Sequence, residues 1–264
     1  MLLSYPESNY APHMKNTYTP LSILALIFAF LGCAADTVPL QSADPTPPGQ
    51  DGMPAAAECS PEVPEPPMDC VGATPAMNAC ASSKGEPVEG PKDLESSHPN
   101  WVLQDLQPQS CGFEQHYSLD TFHGTPTMVV LLWAGCGFCR GQAEKLQEMH
   151  DELTADDVSI HFVILDRAAT NPPIELLTEV CGFPIFQDTE AVDAWGLHEG
   201  VKDDFYFYNA EGVLEIFIPA WGDIEMNLST DEGYRNIKNA ALMMAGRDPI
   251  DAPSPDDEMT DSME

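Results

Sequence analysis

Between Thr127 and Ala245 the apolar positions alternate between unbroken runs and a three-to-four-residue spacing, and each change predicts an element. Thr127 to Trp133 and Val158 to Leu165 are short runs rich in Val, Ile and Leu, the pattern of strands buried on both faces. Between them Phe138, Ala143, Leu146, Met149 and Leu153 recur at helical spacing, with Gln142, Glu144, Lys145 and Glu148 on the other face. Strand, helix and strand in this order predict a βαβ unit with parallel strands and a right-handed crossover. Phe205 to Tyr208 and Val213 to Ile218, joined by the turn Asn209-Ala210-Glu211-Gly212, predict a hairpin. Gly233 to Ala245 predicts a last helix with Ile237, Ala240, Ala241 and Met244 turned inward.

Outside this stretch the periodicity dissolves. From Ala34 to Ser97 the chain is rich in Pro, Ala, Glu and Ser, as in Pro61-Glu62-Val63-Pro64-Glu65-Pro66-Pro67. Such a composition buries too little apolar surface to offset chain entropy, so a disordered, semi-extended tether is expected at 34–97. A domain at 98–247 and a solvated acidic tail at 248–264 complete the expected organisation. At the other end, Leu21 to Gly32 is too short to span a bilayer comfortably and reads as the core of a signal peptide, 1–33. Its boundary, Phe30-Leu31-Gly32-Cys33, resembles a bacterial lipobox, which predicts lipidation of Cys33; an ordinary cleaved signal peptide with Cys33 as a bystander competes with it. Met14-Lys15 is expected as the true start, because the preceding residues include Glu7 and no Lys or Arg. Ala34, where an aspartate retains some lipoproteins at the inner membrane, points to the outer one, and a lipid is the only membrane attachment expected.

Charge narrows the partners. Forty-three acidic against 10 basic side chains give a formal charge of -33, which opposes binding to phosphate backbones and anionic headgroups, so nucleic acid is excluded. Export implies an oxidising compartment, where the eight cysteines are read as bridges and redox centres before metal ligands. Setting aside Cys33, Cys136 and Cys139 leaves Cys59, Cys70, Cys80, Cys111 and Cys181, an odd number whose connectivity the sequence leaves open.

The sharpest chemical signal is Cys136-Gly137-Phe138-Cys139, placed where an apolar run ends and a helical pattern begins. Unpaired N-H groups and the helix dipole at that junction favour a thiolate on the first sulfur. Cys136 is therefore the expected nucleophile and Cys139 the resolving thiol. Arg140 adds a positive charge that could favour the thiolate, and Trp133 is expected to shield the rim. A structural disulfide is the competing reading of the pair. Zinc by four thiolates lacks a second close cysteine pair. His150, His161 and His198 read as packed or solvated, with His198 the one candidate for a copper site beside the two thiols. No metal or cofactor is expected. Cys181, just before Gly182-Phe183-Pro184, is expected to pair with Cys111 or to serve as an auxiliary thiol.

Strand, CxxC helix, strand, helix, hairpin and helix is the layout of the thioredoxin fold, an α/β architecture with a central mixed sheet flanked by helices. A closer likeness lies in Pro184-Ile185-Phe186-Gln187, Trp195, Lys202-Asp203-Asp204-Phe205 and Tyr208 to Gly212, with Trp101 and Asp105 upstream. In order and spacing these resemble the amino-terminal domain of selenoprotein P, over about Asn100 to Leu242. In that resemblance Cys136 takes the place of selenocysteine. The family's His-rich stretch and selenocysteine-rich tail have no counterpart here, so metal or selenium transport is not carried over. The resemblance implies thiol chemistry, including reduction of hydroperoxides. Two departures from thioredoxins stand out. Asp203-Asp204 occupies the place of the cis-proline, and Val130 and Leu131 stand where thioredoxins bury an aspartate. One of the two acids could replace that proton acceptor, or both could sit at a solvated strand end. Two functions follow: an anchored thiol-disulfide oxidoreductase acting on a protein disulfide or hydroperoxide with a thiol electron donor, or a non-catalytic surface module with structural disulfides.

Overall fold

The computed structural model describes residues 59–169 and 173–250. Leu21 to Gly32, Cys33, residues 34–58 of the expected tether and residues 251–264 of the tail lie outside them.

The first pair of strands, β1 (Leu103–Gln104) and β2 (His116–Tyr117), forms a small antiparallel ribbon, followed by a short 3-10 turn at Leu119–Phe122. The main sheet then begins with β3 (Thr127–Leu132), whose six residues are all buried. Its alternation serves two layers, because successive side chains leave opposite faces. Met128, Val130 and Leu132 point into one apolar cluster, Val129 and Leu131 into another. Burying one such side chain is worth about 1.5–3 kcal/mol, which is why this run becomes the central strand.

After β3 come α1 (Gly137–Ala155), β4 (His161–Asp166), α2 (Glu175–Thr178), β5 (Ile185–Gln187), α3 (Ala194–Leu197), β6 (Phe205–Tyr208), β7 (Leu214–Ile218) and α4 (Asp231–Met244). The five-stranded sheet has the order β5-β4-β3-β6-β7. β3 runs parallel to β4 and antiparallel to β6, β4 parallel to β5, and β6 antiparallel to β7. Strands β4-β3-β6-β7 with α1 and α4 make the βαβ…ββα arrangement of the thioredoxin-like fold, with β5 added at one edge. Leu146 and Met149 of α1 and Ile237 and Ala241 of α4 share the first cluster; Trp101, Leu103, Tyr117 and Phe186 fill the second. Among the described residues no helix is long and apolar enough to cross a membrane.

The expected tether divides at Cys59. From there to Ser97 the chain lies against the domain, where the composition predicts disorder. Disulfides Cys59–Cys80 and Cys70–Cys111 hold it, as do backbone bridges between Val71 and Ser110, Ser83 and Val102, and Ser97 and Val213. Lys92 of this segment pairs with Asp204 at 3.0 Å; the Asp204 carboxylate is wholly buried. Cross-links, ladder bonds and two ion pairs, the second between Lys84 and Asp193 at 3.2 Å, supply the ordering that a Pro-rich segment cannot obtain from apolar burial. Because Cys111 is taken by Cys70, the expected Cys111–Cys181 pairing does not form.

Candidate dithiol site

The loop Trp133-Ala134-Gly135 carries the chain from the end of β3 to Cys136. Its shape is held by the Ala134 N-H, which donates to Asp166 Oδ1 at 2.7 Å, and by the Cys136 N-H, which donates to Trp133 O at 2.9 Å. Cys136 is the N-cap of α1, with extended backbone. No acidic residue stands in the first turn of that helix, so nothing there opposes an anion on the cap. Cys136 is half-buried and Cys139, one turn on, is wholly buried.

These environments push the two thiols apart. Burial raises the Cys136 pKa, but hydrogen bonds from the Cys139 thiol and from the Cys139 and Phe138 N-H groups, together with the Lys202 ammonium, more than reverse it, and the net shift is downward. For Cys139 burial again acts first, then the Cys136 hydrogen bond and the Asp203 charge, and its pKa is driven far upward. Cys136 is thus the more readily ionised thiol and Cys139 the one that keeps its proton, which is the division of labour a two-step exchange requires.

The proton of Cys139 has a destination. Its Sγ donates to Asp203 Oδ1 at 3.7 Å, from a residue 64 positions away. Asp203 is only 4% exposed and pairs with the Lys202 ammonium. Its backbone has φ of 72°, a left-handed conformation unusual for a residue with a side chain, and its N-H donates to Leu131 O at 2.7 Å. Asp203-Asp204 thus leads into β6 across from the dithiol, and among the described residues there is no cis peptide bond. Both acids are buried, so the reading of a solvated strand end fails. Asp204 instead ties the loop together, its carboxylate accepting from Lys92 Nζ, Val201 N, Ala220 N and Tyr206 Oη.

Other expectations fare differently. Arg140 pairs with Glu144 at 3.3 Å on the surface of α1, and the cation acting on Cys136 is Lys202. Trp133 does sit half-exposed at the rim, its indole folded over Gly135, where a Cβ would stand 2.8 Å from the ring. Phe138 is also exposed, with Lys202 Nζ 5.1 Å from its ring centre. His198 cannot serve a metal beside the dithiol. Its Nε2 accepts from Trp101 Nε1 at 3.1 Å, its Nδ1 meets Tyr208 Oη at 3.3 Å, and burial pushes its pKa down to about 3. Cys181 is a free buried thiol whose pKa burial pushes up to about 12, so it is an inert packing residue.

Sequence reasoning assigned Lys202 no role beyond its motif and left open which of Asp203 and Asp204 could accept the proton; it is the Asp203 carboxylate that meets the Cys139 thiol. Only the adjacency of β3 and β6, which sets Val130 opposite Phe205, brings Lys202 and Asp203 to the sulfurs.

No family model matches the chain. Human selenoprotein P is 27% identical over 138 residues, covering 50% of this chain and 34% of that protein, so the chain spans about a third of the relative's length. Similar solved structures include a secreted disulfide oxidoreductase of Mycobacterium tuberculosis, 17% identical with a TM-score of 0.40, covering 53% of this chain and 95% of that one. Another is the thioredoxin domain of a thiol-disulfide oxidoreductase from Bacteroides vulgatus, 15% identical with a TM-score of 0.42, covering 56% and 98%. Scores this low do not carry the fold, which rests on strand order, strand direction and the CxxC helix that follows the central strand. By those features the chain has a thioredoxin-like fold, with a sequence likeness to selenoprotein P over half its length.

Proposed function

We propose that the protein is an extracytoplasmic thiol-disulfide oxidoreductase in which Cys136 attacks and Cys139 resolves. One observation carries the reading: the half-exposed sulfur at the helix cap has a lowered pKa, while its buried partner holds a proton beside the Asp203 carboxylate. In the reducing direction the Cys136 thiolate attacks one sulfur of a substrate disulfide. A mixed disulfide forms and the other substrate sulfur leaves as a thiolate, which takes a proton from water. Cys139 then gives its proton to Asp203 and attacks Cys136 Sγ. The second substrate thiol departs, and Cys136 and Cys139 are left joined. The substrate has gained two electrons, the dithiol has lost them, and an external thiol donor restores it. With a hydroperoxide, as the selenoprotein P likeness implies, Cys136 would take the terminal oxygen and release an alcohol, and Cys139 would expel that oxygen as water.

Disulfides Cys59–Cys80 and Cys70–Cys111 support a compartment outside the cytoplasm. The lipobox-like Leu31-Gly32-Cys33 supports anchoring through a lipid on Cys33, at the outer membrane. Mass spectrometry of the mature amino terminus checks this, and an unmodified Cys33 in membrane-extracted protein would sink it.

Turnover of a small disulfide substrate by the Cys136→Ser variant tests the proposal. The oxidoreductase reading expects at least a thousandfold loss with folding intact. If the wild-type protein shows no turnover of either disulfide or hydroperoxide, the non-catalytic surface module takes its place.

A further inference from the structure

A second cluster of chemically active side chains lies away from the dithiol. His98 closes the amino-terminal segment, Asp120 sits in the first turn of the 3-10 helix, and His123 caps the end of that helix. His98 Nε2 lies 3.2 Å from His123 Nε2 and 3.3 Å from Asp120 Oδ1, and His123 Nε2 lies 3.7 Å from the same oxygen. Three ligand atoms from three residues converge on one point. For a triangle with these edges that point is about 2.0 Å from each atom, the Zn–N and Zn–O bond length.

The surroundings orient these atoms. His98 Nδ1 faces Pro99 O at 3.2 Å, which places a proton on Nδ1 and leaves the Nε2 lone pair directed into the cluster. Asp120 Oδ2 accepts from Ser118 Oγ at 3.0 Å, leaving Oδ1 for the histidines. The β6–β7 turn supplies the floor. Gly212 O accepts the His98 N-H at 3.0 Å and Ala210 O accepts the Gly124 N-H at 2.8 Å, so one turn fixes both histidine-bearing segments. At Gly212, with φ of 77°, a Cβ would lie 2.6 Å from His123 Nε2 and 2.7 Å from His98 Cδ2, so only glycine leaves the imidazoles this room.

We propose that His98, Asp120 and His123 bind one divalent transition-metal ion of the zinc class, at the end of β3 opposite the dithiol. Two imidazoles and a carboxylate suit zinc and its neighbours; calcium and magnesium favour all-oxygen sites. His123 and Asp120 are each about half exposed, so the fourth position faces solvent and is open to water or an exogenous ligand. Residues 127–132 separate the cluster from the CxxC loop, roughly 20 Å of extended strand. The metal would therefore not touch the reacting sulfurs.

The competing explanation is a metal-free hydrogen bond between the two imidazoles, and a titration separates the two. The full chain carrying Cys136→Ser and Cys139→Ser, which removes thiolate competition, is titrated calorimetrically with Zn²⁺ in the presence of millimolar Ca²⁺. One ion per chain is expected. Affinity should fall about a hundredfold in an added His123→Ala and at least tenfold in an added Asp120→Asn, since even an outer-shell change costs about 10–100-fold. Both substitutions fall on exposed side chains, and thermal melting of the metal-free proteins verifies that they fold. No saturable binding, or binding unchanged by His123→Ala as general attraction to the acidic surface would give, overturns the proposal.

Discussion

Two cysteines three residues apart are given opposite characters by neighbours that the motif does not contain. Helix-start N-H groups and Lys202 favour the Cys136 thiolate, while burial and Asp203 keep the proton on Cys139. Asp203→Asn tests the second half of this arrangement. Asparagine keeps the shape and tolerates the left-handed backbone, but it cannot accept the thiol proton as a carboxylate does. Resolution of a trapped mixed disulfide on Cys136 should slow about a hundredfold at pH 7, within the usual range for removal of a general base. Alkylation of Cys136 should change far less. Stopped-flow release of the substrate thiol reads the first quantity and a rate profile with iodoacetamide the second. The CxxC was legible because a strand-to-helix junction can be read in a few consecutive residues. The part played by Lys202, and which of Asp203 and Asp204 faces Cys139, were not, since their proximity depends on a pairing made across more than sixty residues.

Elements read from apolar periodicity came out nearly as expected. Observed β3, α1, the hairpin and α4 start or stop within about three residues of the predicted limits. The stretch between 59 and 122 was the failure. It has no periodicity, and its β1 and β2 strands are two residues each, too short to leave a pattern. Its order comes from cross-links and from pairings whose partners lie far along the chain. Several residues that carry the selenoprotein P likeness belong to this scaffold and do no chemistry. Asp105 accepts from Tyr117 Oη at 2.6 Å and from the Ile185 N-H at 3.2 Å, fastening the β1–β2 ribbon to the sheet edge. Trp195 Nε1 donates to Leu165 O at 3.1 Å. Lys92 is the corresponding fastener at the dithiol end, and Lys92→Ala strands the buried Asp204 charge. Unfolding by urea should show a loss of about 2–3 kcal/mol, somewhat below the usual cost of breaking a fully buried pair because the ammonium is partly exposed. A loss under about 0.5 kcal/mol would mean the segment is docked by its disulfides and backbone bridges without need of the Lys92 pair.

At the scale of the whole molecule, the net charge of -33, the buried carboxylates and the buried histidines set the pH response. Burial raises the Asp166 pKa to about 6, against hydrogen bonds from Ala134 and Arg167 that lower it, and its Oδ2 has no hydrogen-bond partner. Burial likewise raises Asp105 and Asp188. A carboxyl whose folded pKa lies above its unfolded value favours folding while protonated. For Asp166 that contribution is complete below the unfolded value near 3.8 and is lost as the pH rises through about 6. Relief of self-repulsion on acidification has the same sign. The buried histidines act with the opposite sign: burial lowers the His98, His161 and His198 pKa values, so their contribution is lost as the pH falls below the free imidazole value of 6.5, and only a substitution at Asp166 isolates the carboxyl's share. Asp166→Asn should gain about 2–3 kcal/mol at pH 7.5 and little at pH 4, as judged by urea midpoints. No gain from Asp166→Asn at pH 7.5, or one as large at pH 4 as at pH 7.5, would contradict this assignment.

The central claim is that Cys136 and Cys139 form a working redox couple, and its most direct test is a titration of the full chain in glutathione or dithiothreitol buffers. Alkylation and mass spectrometry then locate each oxidised pair. The account predicts that Cys136 and Cys139 interconvert at a potential between about -120 and -270 mV, while Cys59–Cys80 and Cys70–Cys111 stay oxidised throughout that range. A Cys136–Cys139 bond that resists reduction below about -300 mV would instead be a structural disulfide, and the oxidoreductase reading would fall with it.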